Sequence, residues 1–365
     1  MRRSALLVAV IAVACKGTPA AGQGQMRSGD ALRVPPGFHI SVFAENLQGV
    51  RFMTLGPPPG DAVYASQPGS GLIVKLTDTN HDGVADSVVT IASGLKGPFG
   101  VAFRGDTMYV AEERELIRFD PGAREPVKLM RLPDGGHSTR TIVFGPDRKM
   151  YVAVGSSCNL CDERDSMRAA VTQFNADGSG GHIFAKGLRN TVGMAVNPKT
   201  GELWGGNNDR DNLGDDLPPE HVNIIKDGRN YGWPQCYLPG KPNPEYGSAD
   251  CSQVEPPVIT VQAHSAPLGL AFYTGTQFPR EYRGDAFMAL HGSWNRSVPT
   301  GAKVVRVQVD SSGRSAVGVD DFIVGWQRPD GSRWGRPVSL LVLPDGSLLV
   351  SDDTGGKIWR VTYAR

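Results

Sequence analysis

Side chains able to do chemistry gather in a few short polar stretches of this chain. Gly136-His137-Ser138 and Gly187-Leu188-Arg189-Asn190 come first, then the acidic run from Asn208 to Asp216. His264, the stretch from His291 to Arg296, and Trp334 to Arg336 follow. An imidazole titrating near pH 6.5 moves protons under mild conditions. Guanidinium forks grip carboxylates in a bidentate way, and amide groups add donors. Clustered carboxylate and carbonyl oxygens suit a hard cation such as calcium. Together these groups describe a small-molecule site, provided that the fold brings them to one concavity.

A separate cluster runs Asp78-Thr79-Asn80-His81-Asp82-Gly83-Val84-Ala85-Asp86. Its oxygen ligands Asp78, Asn80 and Asp82 alternate and glycine is sixth, as in the first half of an EF-hand loop. Val89 stands where the loop's closing glutamate belongs, and the β-rich flanks Leu72–Leu76 and Ser87–Ile91 make the segment a hairpin. Asp78, Asn80, Asp82 and Asp86 are candidate ligands of a second calcium ion. An Asx-rich turn without metal explains the same residues.

The elements that must position the first group are short strands. From residue 50 one pattern recurs six times: a small or apolar start, alternating apolar residues, a turn, and a second β-rich run. PFGVAFRGDTMYVAEE at 98, TVGMAVNPKTGELWGGNN at 191 and PVSLLVLPDGSLLVSDD at 337 are examples. The copies start 48, 41, 52, 76 and 70 residues apart, which suits four-stranded propeller blades with insertions. The last copy offers three strands before the chain ends, while Phe38–Phe43 precedes the first repeat with no partner of its own. The expected fold is therefore an all-β six-bladed propeller over residues 33–365, its ring closed by the N-terminal strand in the last blade. In such a blade the first strand leaves one face of the disc and the second returns to it. Residues before the first run (Arg51, His137, Arg140, Arg189, Arg336) and after the second (Asn208, Asp209, His291, Asp353) should then ring one mouth of the channel.

Composition agrees and excludes other classes. With 46 glycines and 27 prolines, long helices are disfavoured and many turns are supplied. A net charge of +1 argues against a nucleic-acid binder held by phosphate neutralisation. Met1–Cys15 reads as an export signal ending in the lipobox-like Ala12-Val13-Ala14-Cys15, with an ordinary signal cut near Ala20 as the alternative. Residues 16–32 have the composition of a tether. The chain is thus expected outside the cytoplasm, in a bacterial periplasm or envelope, touching membrane only through a lipid on Cys15. Four further cysteines in an exported chain point to disulfides, and proximity favours Cys158–Cys161 and Cys236–Cys251 over the other two pairings.

The polar motifs, now joined by Asn230-Tyr231-Gly232-Trp233-Pro234 and taken in order across residues 33 to 363, resemble the soluble pyrroloquinoline-quinone (PQQ)-dependent sugar dehydrogenases. The sorbosone and aldose sugar dehydrogenase branch is the nearest in look. That resemblance implies a six-bladed propeller with PQQ and Ca²⁺ in its mouth, oxidising the anomeric hydroxyl of an aldose or related sugar to the lactone. It implies His137 as general base, with hydride passing to PQQ, and Arg189 beside the quinone oxygens where negative charge grows. The implied cofactor-facing set is Arg189, Asn190, His264, Arg296, Trp334 and Arg336. The loop Asp209–Asp211 stands where family carbonyls bind the metal, with Asp209, Arg210 and Asp211 as candidate ligands. Electrons would pass to a quinone or cytochrome. The chain departs from the family in having no lysine within Gly292–Arg296 and Trp334 in place of one of two paired arginines. Two rival functions remain: a propeller lactonase, which would lack the arginines, and a non-catalytic binding module, which would expose apolar loop tips.

Overall fold

The computed structural model describes residues 31–364. Six antiparallel sheets follow one another around an axis. Blade one is Met53–Leu55, Ala62–Gln67, Leu72–Thr77 and Ser87–Ala92; blade two is Pro98–Arg104, Thr107–Glu112, Glu115–Phe119 and Val127–Arg131. Blade three starts at Arg140–Phe144, blade four at Thr191–Val196, blade five at Pro267–Phe272 and blade six at Pro337–Val342. Phe38–Ala44 pairs antiparallel with Lys357–Tyr363 and completes blade six, as the strand count required. The proposed export signal, Cys15 and most of the tether lie outside the described residues. Residues 31–34 belong with the propeller: Arg33 bridges to Val324, and Leu32 and Val34 pack on the core between blades five and six.

The periodicity reads directly onto packing. Second strands such as Met150–Val154 are buried throughout, because each is covered on both sides by neighbouring blades. Outermost strands such as Ser87–Ala92 are mostly exposed. Each seam between blades carries its own apolar cluster. The richest lies between blades five and six, where Phe38, Phe278, Phe287 and Phe322 meet at ring distances of 4.5 to 6.2 Å. Each such ring buried contributes about 1.5–3 kcal/mol.

On the axis, equivalent positions of the innermost strands close the channel. Phe52, Val192, Leu268 and Val338 form one buried cluster with Phe99 against it. After Phe99, Val192, Leu268 and Val338 the next residue is small (Gly100, Gly193, Gly269, Ser339) and lets neighbouring inner strands approach closely. A Cβ on Gly269 would lie 2.2 Å from Val338 O, which explains a glycine there. Side chains then tie one blade to the next: Ser66 Oγ donates to Phe99 O at 2.8 Å, Thr141 Oγ1 to Val192 O at 2.6 Å, and Asn208 Nδ2 to Pro267 O at 2.8 Å.

The long spacing after blade four comes from an insertion between its third strand, Glu220–Ile225, and its fourth, Ile259–Val261. Arg229–Asn230 of this insertion adds a parallel fifth strand to blade three. The insertion is pinned by Cys236–Cys251 and by Arg210, whose guanidinium reaches Glu245 at 2.6 and 3.0 Å. Cys158 and Cys161 form the other disulfide.

Candidate functional site

The polar groups above the axial plug fall into two sectors. In the first, blades three and four present His137, Arg189 and Asn190. His137 Nδ1 lies 2.9 Å from Ser156 O, an atom that only accepts, so Nδ1 carries the proton and Nε2 holds the free lone pair. Burial, reinforced by the charges of Arg189, Arg168 and Arg140 and opposed by the Ser156 bond, lowers this imidazole to about 4. It is a neutral acceptor at physiological pH. Arg140, fully buried, donates to His137 O and to Pro133 O, while Arg168 donates to Gly155 O and Asp134 O; together they fix the loop that carries the imidazole. A Cβ on Gly155 would meet Asn190 Oδ1 at 2.4 Å and His137 Cβ at 2.7 Å, so glycine there lets these two side chains come together.

Arg189 is buried and fully engaged. It donates to Asp209 O at 2.6 Å, Asn159 O at 3.1 Å, Asn159 Oδ1 at 3.0 Å and Asp211 Oδ2 at 3.1 Å. It therefore shapes the Asn208–Asp211 loop, with its charge paired to the Asp211 carboxylate. Asp211 Oδ1 also accepts from Asn295 Nδ2 at 2.8 Å, which joins blade five to the loop. Behind it, the Asp209 amide donates to Glu220 Oε2 at 2.7 Å. Burial raises Glu220 to about 8, the nearby Asp209 charge helps, and the Asp209 amide opposes. The pair thus avoids two adjacent buried anions at neutral pH.

The second sector joins blades five, six and one. His291 Nε2 lies 3.0 Å from both oxygens of Asp353, and Arg51 Nη1 lies 2.8 Å from Asp353 Oδ2. Arg336 donates to His291 O and to Gly292 O, each at 2.8 Å. Burial lowers His291 to about 4 against the pull of Asp353, with Arg336 and Arg51 adding to the fall. Burial works to raise Asp353, but the His291 bond and the two arginines hold it at about 2. Burial brings Arg336 down to about 10 despite Asp353.

The residues singled out from sequence separate into three groups. His137, Arg189, Asn190, Asp209 and Asp211 are brought together. Arg210 shares the loop, but its guanidinium turns to Glu245, so only its carbonyl could serve a metal. His264 joins the loop's flank, with Nε2 2.8 Å from Gly214 O and Nδ1 3.4 Å from Asn295 Nδ2. Arg336 stands in the second sector. Arg296 instead pairs with Asp216 at 3.2 Å and donates to Asp215 O and Val298 O, stapling two rim loops. Trp334 corrects the sequence reading. It is 1% exposed, packs edge-on against Trp359 at 5.9 Å and donates to Gly325 O, so it belongs to the core. Trp294, by contrast, is 75% exposed.

The Asp78–Asp86 loop connects the third and fourth strands of blade one and so lies on the opposite face of the disc. There Asp86 Oδ2 accepts from the Thr79 amide and hydroxyl at 2.6 Å, and Gly83 N donates to Asp78 Oδ2 at 2.9 Å, the pattern of an Asx-rich turn. Sequence reasoning missed Asn159, Ser156 and Glu220. Glu220 was visible as a carboxylate opening the β-rich run Val222-Asn223-Ile224-Ile225; nothing local marked the other two.

A family model described as TrAA12-like matches residues 32–364. The chain is 31% identical over 358 residues to an uncharacterized protein of Borreliella burgdorferi, covering 92% of this chain and 91% of that one. It is 27% identical over 290 residues to the PQQ-dependent pyranose dehydrogenase of Coprinopsis cinerea, covering 61% of this chain and 39% of that enzyme. Among solved structures it resembles the holo PQQ domain of that dehydrogenase, with TM-score 0.78, 23% identity, and coverage of 92% and 97%. It also resembles the calcium structure of a Trichoderma reesei family AA12 enzyme, with TM-score 0.79, 20% identity, and coverage of 93% and 99%.

Proposed function

The chain belongs to the TrAA12-like family, and on that premise we propose that it is a PQQ- and calcium-dependent oxidoreductase that converts the anomeric hydroxyl of an aldose or related sugar to the lactone. The observation that carries this reading is His137: an imidazole kept neutral by burial and arginines, oriented through Nδ1, with Nε2 free to accept a proton. The residues around the mouth also fit an anionic cofactor and a cation. Arg51 Nε, Asn190 Oδ1 and Asn295 Oδ1 are buried polar atoms with no partner in the chain, one donor and two acceptors. Arg336 and Arg51 would meet carboxylates, Asn190 a further polar edge, and the Asp209–Asp211 loop the calcium. When bound, PQQ with calcium supplies the two-electron acceptor for the hydride that leaves the sugar carbon.

The chain's own contribution is proton handling and electrostatics. His137 Nε2 takes the hydroxyl proton while Ser156 O holds the opposite edge of the ring and keeps the tautomer. The resulting imidazolium lies near Arg189, Arg168 and Arg140, so it readily returns the proton to solvent. Arg189, bonded to Asn159, Asp209 O and Asp211, holds in place the loop whose oxygens would meet the cation. Exposed Trp294 offers a stacking face to a sugar at the rim.

Export with a lipid on Cys15 would place this chemistry at the cell envelope, delivering electrons to a quinone or cytochrome. Cys15→Ser should move the protein from the membrane to the soluble fraction; unchanged partition would remove the anchor. The central test is titration of PQQ into purified protein with Ca²⁺, followed by dye reduction across an aldose panel. A cofactor spectrum unaltered by the protein would end the proposal.

A further inference from the structure

Cys158 to Cys161 make a four-residue ring closed by their disulfide, and Asn159 stands inside it. Its side-chain oxygen accepts from Arg189 Nη2 at 3.0 Å and from the Asp211 amide at 2.7 Å. Its side-chain nitrogen donates to Asp211 O at 3.0 Å. Its main-chain carbonyl accepts from Arg189 Nε at 3.1 Å and from Trp233 Nε1 at 3.2 Å. One residue thus grips an arginine 30 positions away and a loop 52 positions away. The same ring reaches the histidine: Ser156 Oγ donates to Cys158 O at 2.6 Å, and Ser156 O receives the His137 Nδ1 proton. Glu163 braces the outer side, accepting from the Ser157 amide at 2.5 Å and its hydroxyl at 2.8 Å.

We infer that Asn159 is a positioning residue for the cofactor site, and that the Cys158–Cys161 disulfide acts by holding Asn159 in place. An asparagine on an unconstrained loop must lose backbone and rotamer freedom to make five bonds at once, and the ring removes most of that freedom in advance. Stabilisation through loop closure grows with loop length, so so small a ring does little for the fold as a whole. Its consequence is local. It falls on the orientation of Arg189 and on the carbonyls and carboxylate of Asp209–Asp211. The link to affinity rests on the PQQ and calcium reading; the link to loop order does not.

The test compares Asn159→Ala, Asn159→Asp, the pair Cys158→Ser/Cys161→Ser, and the triple variant Cys158→Ser/Asn159→Ala/Cys161→Ser. In cofactor-free protein, hydrogen exchange of residues 208–212 should quicken at least about tenfold in Asn159→Ala and in the serine pair, as expected when an outer partner of a binding group is lost. Exchange in the strands of blade six should not change. With Ca²⁺ fixed, PQQ half-saturation should weaken about tenfold in each, and the triple variant should bind no worse than Asn159→Ala alone. Asn159→Asp, which keeps the side-chain oxygen that accepts from Arg189 and the Asp211 amide but loses the donor to Asp211 O, should recover part of the loss. Unchanged exchange at 208–212, exchange raised equally in blade six, or disulfide and Asn159 effects that simply add would each overturn the inference. If the unaltered protein binds no PQQ, the sugar dehydrogenase reading falls, and the exchange result alone decides the role of Asn159.

Discussion

Two histidines stand at the same mouth and are oriented in opposite ways. His137 gives its Nδ1 proton to the main-chain carbonyl of Ser156, which leaves Nε2 outward. His291 gives its Nε2 proton to the carboxylate of Asp353, which leaves Nδ1 as the acceptor. A carboxylate should make the second ring the stronger base, yet both fall to about 4. Burial comes first in each case, and around His291 the charges of Arg336 and Arg51 offset Asp353. The comparison teaches that a histidine's role here follows from what backs it. A neutral carbonyl orients His137 without adding charge, whereas the His291–Asp353–Arg51–Arg336 group is a charge network suited to holding an anionic ligand.

The sharpest way to break this contrast is His137→Ala. Turnover should fall about 10²–10⁴-fold while PQQ affinity stays within about threefold, read by dye reduction and absorption titration. Equal loss from His291→Ala, with His137→Ala harmless, would exchange the two roles. Next in size is Arg336→Ala, for which cofactor affinity should weaken about 10–100-fold, since a charge-assisted bond contributes about 1.5–3 kcal/mol. Intact affinity with lost turnover would show that the second sector serves the reaction and not binding. Asp353→Asn should then lower the thermal midpoint by a few degrees, because Arg51 and Arg336 lose their shared counter-charge. A variant as stable as the parent would mean that the network is not felt by the fold.

The smallest effect is on pH. With His137 at about 4 in the folded chain, kcat/KM should stay level from about pH 5 upward through 6.5, instead of halving near 6.5. The linkage has a definite sign. Between about 4 and the unfolded value of 6.5 the unfolded chain binds more protons at His137 and His291, so these two sites add stability as pH rises through that window. Glu220, raised to about 8, works the other way between 4.5 and 8, where the folded chain holds the extra proton. Urea unfolding at several pH values in its His137→Ala and Glu220→Gln variants would separate the two slopes.

Much of the architecture was legible residue by residue. The glycine of PFGVAF, TVGMAV and PLGLAF marks where inner strands crowd the axis, and the turns Gly145-Pro146-Asp147 and Pro344-Asp345-Gly346 punctuate the strands. The repeat assigns strand ends to one face and so groups His137, Arg189 and Asp209 at one mouth. Neighbours on one strand end still part company. Asp352 turns inward to accept from Trp326 Nε1 and the Arg336 amide, while Asp353 turns to His291 and Arg51. Trp334 and Arg336 divide in the same manner, core and mouth.

Taken alone, the order of residues determined the six-fold strand pattern and the closing role of Phe38–Ala44, because alternation and turn chemistry are written within a few neighbouring positions. It also made two short-range cysteine pairings the favoured ones. Only the tertiary structure decided that Arg296 ties rim loops together, that Trp334 is core, and that Asn159 reaches both Arg189 and Asp211. Those outcomes depend on contacts between groups on different strands and loops, 9 to 81 residues apart. Which way such a side chain turns is set by burial and by the partners that the closed ring brings to it.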